Sequence, residues 1–265
     1  MSPLALAAAQ GEEFTSPGKE DFWWPILGSD SSAWTLTRPA VMALVSVALI
    51  AWFLLAATRH RAIIPGRLQF IGEGAYGFIR EGIGRDLIGS RDFLKFMPLL
   101  FAQFTFILLN NLFGIIPFVQ YPTMSRYGFP VALALITYIT FHAVGFHRKG
   151  FVGYFKDLVP PGLPSWIVPV IFLLEFVDKF LTRPLTLSLR LFANMFAGHL
   201  LLLVFILGAE HLLLTGGPAL KVAGVLSGVL AIVMTFFEAL VEVLQAYIFT
   251  LLTALYIGGA LAEEH

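Results

Sequence analysis

An arginine lies in the middle of a run that is otherwise typical of a membrane helix. In Leu185 to His199, LTLSLRLFANMFAGH, Arg190 is the one residue that stays charged at every physiological pH. A charge inside a membrane helix is costly and is usually retained for ion transport or for pairing with another charge. We therefore expect Arg190 to have a function, although a structural ion pair with Glu175 or Glu242 stays open.

Helical periodicity groups the polar residues around this arginine. Offsets of three, four and seven residues stay on one side of an α-helix. The side that contains Arg190 then also carries four other residues: Arg183, Thr186, Asn194 and Ala197. His199 is nine positions from Arg190 and is predicted to project to the opposite side, so that the helix presents two polar sites in two directions.

A second polar stripe follows in FFEALVEVLQAYIFT. Glu238, Glu242 and Gln245 recur at spacings of four and three in an otherwise apolar helix, which places them on one face. These residue types can carry protons or hydrogen-bond to another helix. Glu242 is the less certain of the two carboxyl groups, because an interfacial or structural role explains it equally well.

The two polar helices are predicted to form an antiparallel hairpin. Gly216, Gly217 and Pro218 provide the turn. Residues equally far from position 218 then become neighbours, which pairs Arg190 with Gln245 and His199 with Glu238.

Composition identifies a membrane protein. The 265 residues are 58% hydrophobic and 13% charged, with a mean hydropathy of +0.82, whereas about a quarter of a soluble domain is charged. The formal net charge is zero, and no basic tract indicates a nucleic-acid partner. Cysteine is absent, which excludes disulfides, thiolate catalysis and cysteine metal sites, and no metal site is expected.

The apolar segments predict an all-α polytopic membrane protein with five membrane passages. They are residues 39–57, 96–119, 129–146, 165–213 and 219–261. The last two exceed the roughly 20 residues of one crossing, so they must tilt, break or run partly along the membrane plane; we expect a long tilted hairpin over 165–261. Residues 59–95 mix basic and apolar side chains and predict an interfacial amphipathic helix. The whole chain, 1–265, is predicted to be a single membrane domain.

Basic residues predict the orientation. Seven Lys and Arg lie between Arg59 and Lys95 and two lie before the first span, and short loops rich in these residues stay in the cytoplasm. The 59–95 segment is therefore expected inside and the N-terminal segment, 1–38, outside. Five passages then place the C-terminus in the cytoplasm. Counting 165–181 as a separate span would put Lys179 and Arg183 outside, against the positive-inside bias. The basic residues therefore favour one long, bent element.

Three motifs resemble subunit a of the Fo proton channel of F-type ATP synthases. They are RPLTLSLRLFANMFAGH (183–199), EALVEVLQAYIFTLLTALYI (238–257) and NNLFGIIP (110–117). The resemblance implies that Arg190 is the essential stator arginine, facing a ring of rotor subunits. The positions that it associates with proton transfer are Asn194, His199, Glu238 and Gln245.

One departure from the family pattern concerns the inner end of the proton path. The acidic residue that commonly lies eight positions before the proline of the Lys/Arg-Pro pair is here Glu175, nine before Pro184, and Asp178 is an additional acid. Either Glu175 or Asp178 could line the inner exit. Glu175 and Glu242 are therefore tentative members of the predicted site.

The resemblance also implies the partners and the transported ion. The expected partners are the c-ring rotor subunits, subunit b of the peripheral stalk, the remaining ATP synthase subunits and the lipid bilayer. The ion is H⁺, no cofactor is expected, and the location is an energy-transducing membrane such as a bacterial inner membrane. The chain is not expected to bind nucleotide itself, since GEGAYG (72–77) lacks the spacing and the lysine of a phosphate-binding loop.

Two other functions are compatible with intramembrane charges. A secondary transporter commonly has internal repeats and paired broken helices, and the two long segments have different polar patterns. A purely structural scaffold would explain the long helices but would leave the aligned polar residues without a purpose.

Overall fold

The computed structural model describes most of the predicted membrane region. The described residues are 25–27, 36–59, 65–89, 92–116, 123–159 and 163–262. Most of the predicted outer segment 1–38, the motif residue Pro117 and the final EEH lie outside them. Statements below apply to the described residues.

The described chain is almost entirely helical, which confirms the predicted fold class. The helices are α1 (Arg38–Arg59), α2 (Arg67–Ile79), α3 (Asp86–Ile88), α4 (Phe93–Ile115), α5 (Gly128–Lys156), α6 (Val168–Val177), α7 (Arg183–Thr215) and α8 (Pro218–Leu261). Two π-helical turns, Arg80–Arg85 and Asp178–Thr182, join α2 to α3 and α6 to α7, and a 3₁₀ turn spans Thr123–Ser125. A short antiparallel ribbon of β1 (Pro25–Leu27) and β2 (Leu36–Thr37) precedes α1 and was not predicted.

Five helical segments are long and apolar enough to cross a membrane. They are Pro39–Arg59, Phe93–Ile115, Gly128–Lys156, Val168–Thr215 and Pro218–Leu261. The fourth runs for 48 residues through α6, a π turn and α7, which confirms the interpretation of residues 165–213 as one long element. The protein is therefore an integral membrane protein, while its orientation stays a prediction.

The segment between α1 and α4 has apolar side chains both on its surface and in its interior, and its predicted interfacial position stays a prediction. Phe70 and Ile71 are exposed on α2, whereas Ile79 and Ile83 are fully buried. The basic side chains of the first π turn are exposed to solvent. The GEGAYG sequence lies inside α2 rather than between a strand and a helix, which agrees with the absence of a phosphate-binding loop.

The chain separates into two compact units. The first consists of residues 1–44, 109–126 and 193–244, and the second consists of residues 45–108, 127–192 and 245–265. The prediction that residues 1–265 form a single membrane domain is not tested by this division.

The first unit contains the tip of the predicted hairpin. A Cβ at Gly228 would lie 3.9 Å from the Cβ of Ala209, and the hydroxyl of Ser227 donates a hydrogen bond of 2.9 Å to the carbonyl oxygen of Phe205. Gly224 is buried against Leu212. Small residues allow the two helix backbones to approach closely. Gly228 and Ala209 are almost equally far from position 218, so the register predicted from the turn is confirmed here.

This register can be tested with a disulfide, because the chain has no other cysteine. We expect Ala209→Cys combined with Gly228→Cys to crosslink efficiently on oxidation, since the Cβ separation of 3.9 Å falls in the range of real disulfides. Ala209→Cys combined with Thr235→Cys, displaced by seven residues or about 10 Å, should stay reduced. Preferential crosslinking of the displaced pair would contradict the register.

Candidate functional site

Helix α7 presents two polar groups in different directions, as the periodicity predicted. Thr186, Arg190 and Asn194 are exposed, whereas His199 is 7% exposed. The buried side of the helix around Arg190 includes the fully buried Leu191 and the buried Ser188. The exposed stripe continues to Ala197, which is small enough to let another helix approach.

Arg190 belongs to the second unit and forms no ion pair with a described carboxylate of that unit. Asp178, the acid twelve positions earlier, instead accepts a 2.8 Å hydrogen bond from Arg183. The interpretation of Arg190 as a structural charge paired with Glu175 is therefore not supported. The alternative interpretation, an ion pair between Arg190 and Glu242 of the first unit, is not tested.

His199 and Glu238 both lie in the first unit, and the side chain of Glu238 lies against Gly198, the residue before His199. Glu238 is 6% exposed, and a Cβ at Gly198 would lie 2.9 Å from its Oε1 atom. The carboxyl group therefore occupies the space that glycine leaves beside His199. The two carboxyl oxygens of Glu238 have no hydrogen-bonding partner among the described residues, so the predicted neighbourhood is present without a direct histidine–carboxylate hydrogen bond.

Glu242 is buried one turn beyond Glu238, at 3% exposure. Its carboxyl oxygens likewise have no hydrogen-bonding partner among the described residues. The side-chain amide of Asn111 donates a 3.2 Å hydrogen bond to the backbone carbonyl of Glu242, which ties the end of α4 to α8 at this level. Two buried carboxyl groups therefore follow one another along α8. The burial of Glu242 argues against a purely interfacial role for this residue.

Gln245 belongs to the second unit and is 3% exposed. The predicted pairing of Gln245 with Arg190 stays a prediction. Glu175 is half-buried near the start of the long helix. Of the two candidate inner acids, Asp178 is engaged by Arg183, whereas Glu175 forms no ion pair among the described residues.

The sequence prediction missed two features that shape this site. Asn110 and Asn111 are both buried; adjacent asparagines inside an apolar helix are a signal that could have identified them. Gly198 adjoins the Glu238 carboxyl group, but a helical glycine in a membrane segment is too common to be recognised as a site residue. No group of three or more His, Asp or Glu suited to a metal ion occurs among the described residues.

The matched family spans nearly the whole membrane region. The family model described as ATP synthase A chain matches residues 40–258. The chain belongs to this family. It is 45% identical to ATP synthase subunit a of Nocardioides sp. over 98% of both chains. It is 46% identical to subunit a of Pseudarthrobacter chlorophenolicus over the full length of both. The Streptomyces lividans subunit a is 41% identical over 95% of this chain and 89% of its own.

Membership in the ATP synthase A chain family agrees with the resemblance found in the motifs. The matched region includes Arg190, the buried carboxyl groups of α8 and the buried asparagines of α4. It does not by itself assign a role to any of these residues.

The Gly198 contact generates a test of the Glu238 carboxyl group. In Gly198→Ala the new methyl group must displace the flexible end of Glu238, so we expect the fold to persist while the proton flux driven by ATP hydrolysis falls by roughly tenfold, since small displacements of reacting groups are costly. Gly208→Ala is the matched control on the same helix, because its Cβ would have 3.9 Å of space to the nearest atom. Equal fluxes in the two variants would argue against a role for the position of Glu238.

Proposed function

We propose that this protein is the stator proton-channel subunit of a bacterial F-type ATP synthase, in which Arg190 couples proton translocation to rotation of the c-ring. One observation carries the proposal: Arg190 is exposed on a polar stripe of a membrane-spanning helix and has no ion-pair partner in its own unit among the described residues. A lipid-facing arginine would cost several kcal/mol. A carboxylate on a neighbouring rotor helix would remove this cost.

The coupling is electrostatic. An arginine about 4 Å from a carboxylate contributes roughly 4 kcal/mol at an effective dielectric constant of 20, which corresponds to about a thousandfold weaker proton binding before desolvation is subtracted. A rotor carboxyl group therefore releases its proton as it reaches Arg190. Once past the arginine it must be protonated again before it can face lipid. Arginine suits this position better than lysine, because lysine loses its charge more readily when buried.

Two offset half-channels carry the protons to and from the rotor. Glu238, Glu242 and His199 form the outer route, since they are buried polar groups close together in one unit. We assign Asn194 and Gln245 to the proton path as well, because the family resemblance associates these positions with proton transfer. For the inner route we favour Glu175 over Asp178, because Arg183 already binds Asp178. The positive charge of Arg190 discourages direct leakage of protons from one route to the other.

In the proposed complex, other subunits supply the rotor carboxyl group, the connection to the catalytic part and the nucleotide chemistry. The rotor carboxyl group belongs to the c-ring, subunit b connects the stator to the catalytic part, and nucleotide chemistry occurs in other subunits. One charge crossing the membrane gains about 2.3 kcal/mol per 100 mV, so several transfers per turn can drive ATP synthesis. The positive-inside bias places the C-terminus in the cytoplasm.

The alternatives predict different behaviour in reconstituted vesicles. A secondary transporter would move protons or another ion without the rotor ring, and a structural scaffold would not affect flux when Arg190 is replaced. The proposed channel conducts protons only together with the ring.

We expect Arg190→Ala to abolish ATP-driven proton pumping while the complex still assembles, because the lost charge acts on the rotor and is not part of an ion pair in its own unit. Proton uptake by inverted membrane vesicles, together with the subunits that co-purify in mild detergent, measures both effects. Arg85→Ala removes an exposed arginine of the amphipathic segment and should pump normally. Normal pumping by assembled Arg190→Ala complexes would contradict the proposed coupling role of Arg190.

A further inference from the structure

The second unit contains a buried polar cluster that the proposed proton path does not use. We call it the clasp and define it as His142, Lys149, Tyr154, Asp157 and Lys179. The clasp begins where α5 reverses at Gly150, which has a positive φ of 70°. The hydroxyl of Tyr154 lies 2.8 Å from Nδ1 of His142, although twelve residues of straight helix would separate them by about 18 Å.

Close packing holds this reversed segment against α5. The ring of Tyr154 covers Gly145 so tightly that a Cβ at position 145 would overlap it. The ammonium group of Lys149 and the carboxylate of Asp157 are 2.7 Å apart, and their side chains are 14% and 16% exposed. A mostly buried ion pair is strongly destabilised when one partner is removed, so the reversal depends on Asp157.

Asp157 also connects the reversed segment to the second π turn. The ammonium group of Lys179 lies 3.8 Å from the same Asp157 carboxylate, and its side chain is 16% exposed. It also lies 5.6 Å from the ring centre of Tyr154. Lys179 is the second residue of the π turn Asp178–Thr182, so this turn is fixed to the end of α5 through one carboxylate.

Across the π turn, two hydrogen bonds join residues that are five positions apart. Arg183 donates to Asp178 over 2.8 Å, and the hydroxyl of Thr182 donates to the carbonyl oxygen of Val177 over 3.4 Å. Arg183 also lies over the ring of Tyr256 at 5.1 Å. A π turn accommodates one more residue than an α turn. This additional residue coincides with the spacing of nine, rather than eight, between Glu175 and Pro184.

The π turn determines the direction of every residue that follows it. If it relaxed to an α-helix while α6 stayed in place, α7 would rotate by one residue, or about 100°. Arg190 would then take the direction that Leu191 has now. Leu191 is fully buried whereas Arg190 is exposed, so the relaxation would remove the arginine from the exposed face.

We propose that Asp157 is a positioning residue for Arg190: its ion pairs with Lys149 and Lys179 hold the π turn that directs the arginine outward. The consequence for coupling rests on the function proposed above. The predicted rotation of α7 does not rest on that function. The rotation and the loss of coupling can therefore be tested separately.

The first measurement compares two aspartates in assembled complexes. Asp157→Asn should lower the protons pumped per ATP hydrolysed by roughly tenfold, in line with the cost of misplacing a reacting group. The matched control is Asp92→Asn, because Asp92 forms a lysine pair of the same 2.7 Å length at the start of α4, and it should pump normally. The proposal is overturned when Asp157→Asn complexes pump normally and the accessibility of a cysteine on α7 shows that the helix has not rotated.

A deletion separates positioning from general stability. Leu181 is exposed within the π turn, and deleting it lets an ordinary α-helix connect α6 to α7 without changing the direction of Arg190. The deletion should therefore restore pumping to the Asp157→Asn complex. A residue needed only for stability would not be rescued in this way, so an assembled double variant that pumps no better than Asp157→Asn overturns the proposal.

A thiol reporter measures the rotation without reference to coupling. Ser188 is 3% exposed, and the rotation would give it the direction of the exposed Leu189. Ser188→Cys should react slowly with N-ethylmaleimide in the otherwise unchanged complex and several-fold faster when Asp157→Asn is added. Unchanged reactivity overturns the proposal, even if the deletion variant does not assemble. Faster reaction with normal pumping would support the positioning role and instead contradict the coupling role of Arg190.

Discussion

A permanent positive charge in an apolar segment is the constraint on which the rest of the structure depends. Arginine carries a permanent positive charge, and leaving such a charge in lipid costs several kcal/mol. The unit that contains Arg190 supplies no carboxylate to offset that cost among the described residues. In the proposed function, the exposed polar stripe of α7 is the surface that meets a partner with a compensating charge, and the helices around it keep that surface in a defined direction.

Packing and proton chemistry are linked through small residues. Gly228 and Ala209 set the distance between α7 and α8 at the tip of the hairpin, while Gly198 leaves space for the carboxyl group of Glu238. The same close approach that stabilises a membrane hairpin thus places a buried acid beside Gly198, the residue before His199. Asn111 fixes the neighbouring turn of α8 by binding the carbonyl of Glu242, so the buried acids are positioned by backbone contacts rather than by salt bridges.

Periodicity and turn chemistry were sufficient for the membrane-spanning helices, for the register at the tip of the hairpin and for the opposite directions of Arg190 and His199. The π turn at Asp178–Thr182 could not be predicted, because one additional residue barely changes the apolar pattern of a long helix. The pairing of Tyr154 with His142 depends on the reversal at Gly150, and a lone glycine does not reveal its φ. The β1–β2 ribbon was too short to be recognised from strand periodicity.

In the proposed function the Arg190 face of α7 meets the rotor carboxyl groups, and two adjacent cysteine positions can distinguish this face from its neighbour. Thr186 and Leu185 are both exposed at the same depth, but Thr186 lies on the Arg190 side and Leu185 does not. In complexes with a rotor cysteine one turn from the carboxyl group, Thr186→Cys should form a disulfide with the rotor and Leu185→Cys should not. Crosslinking of Leu185→Cys alone would contradict the account.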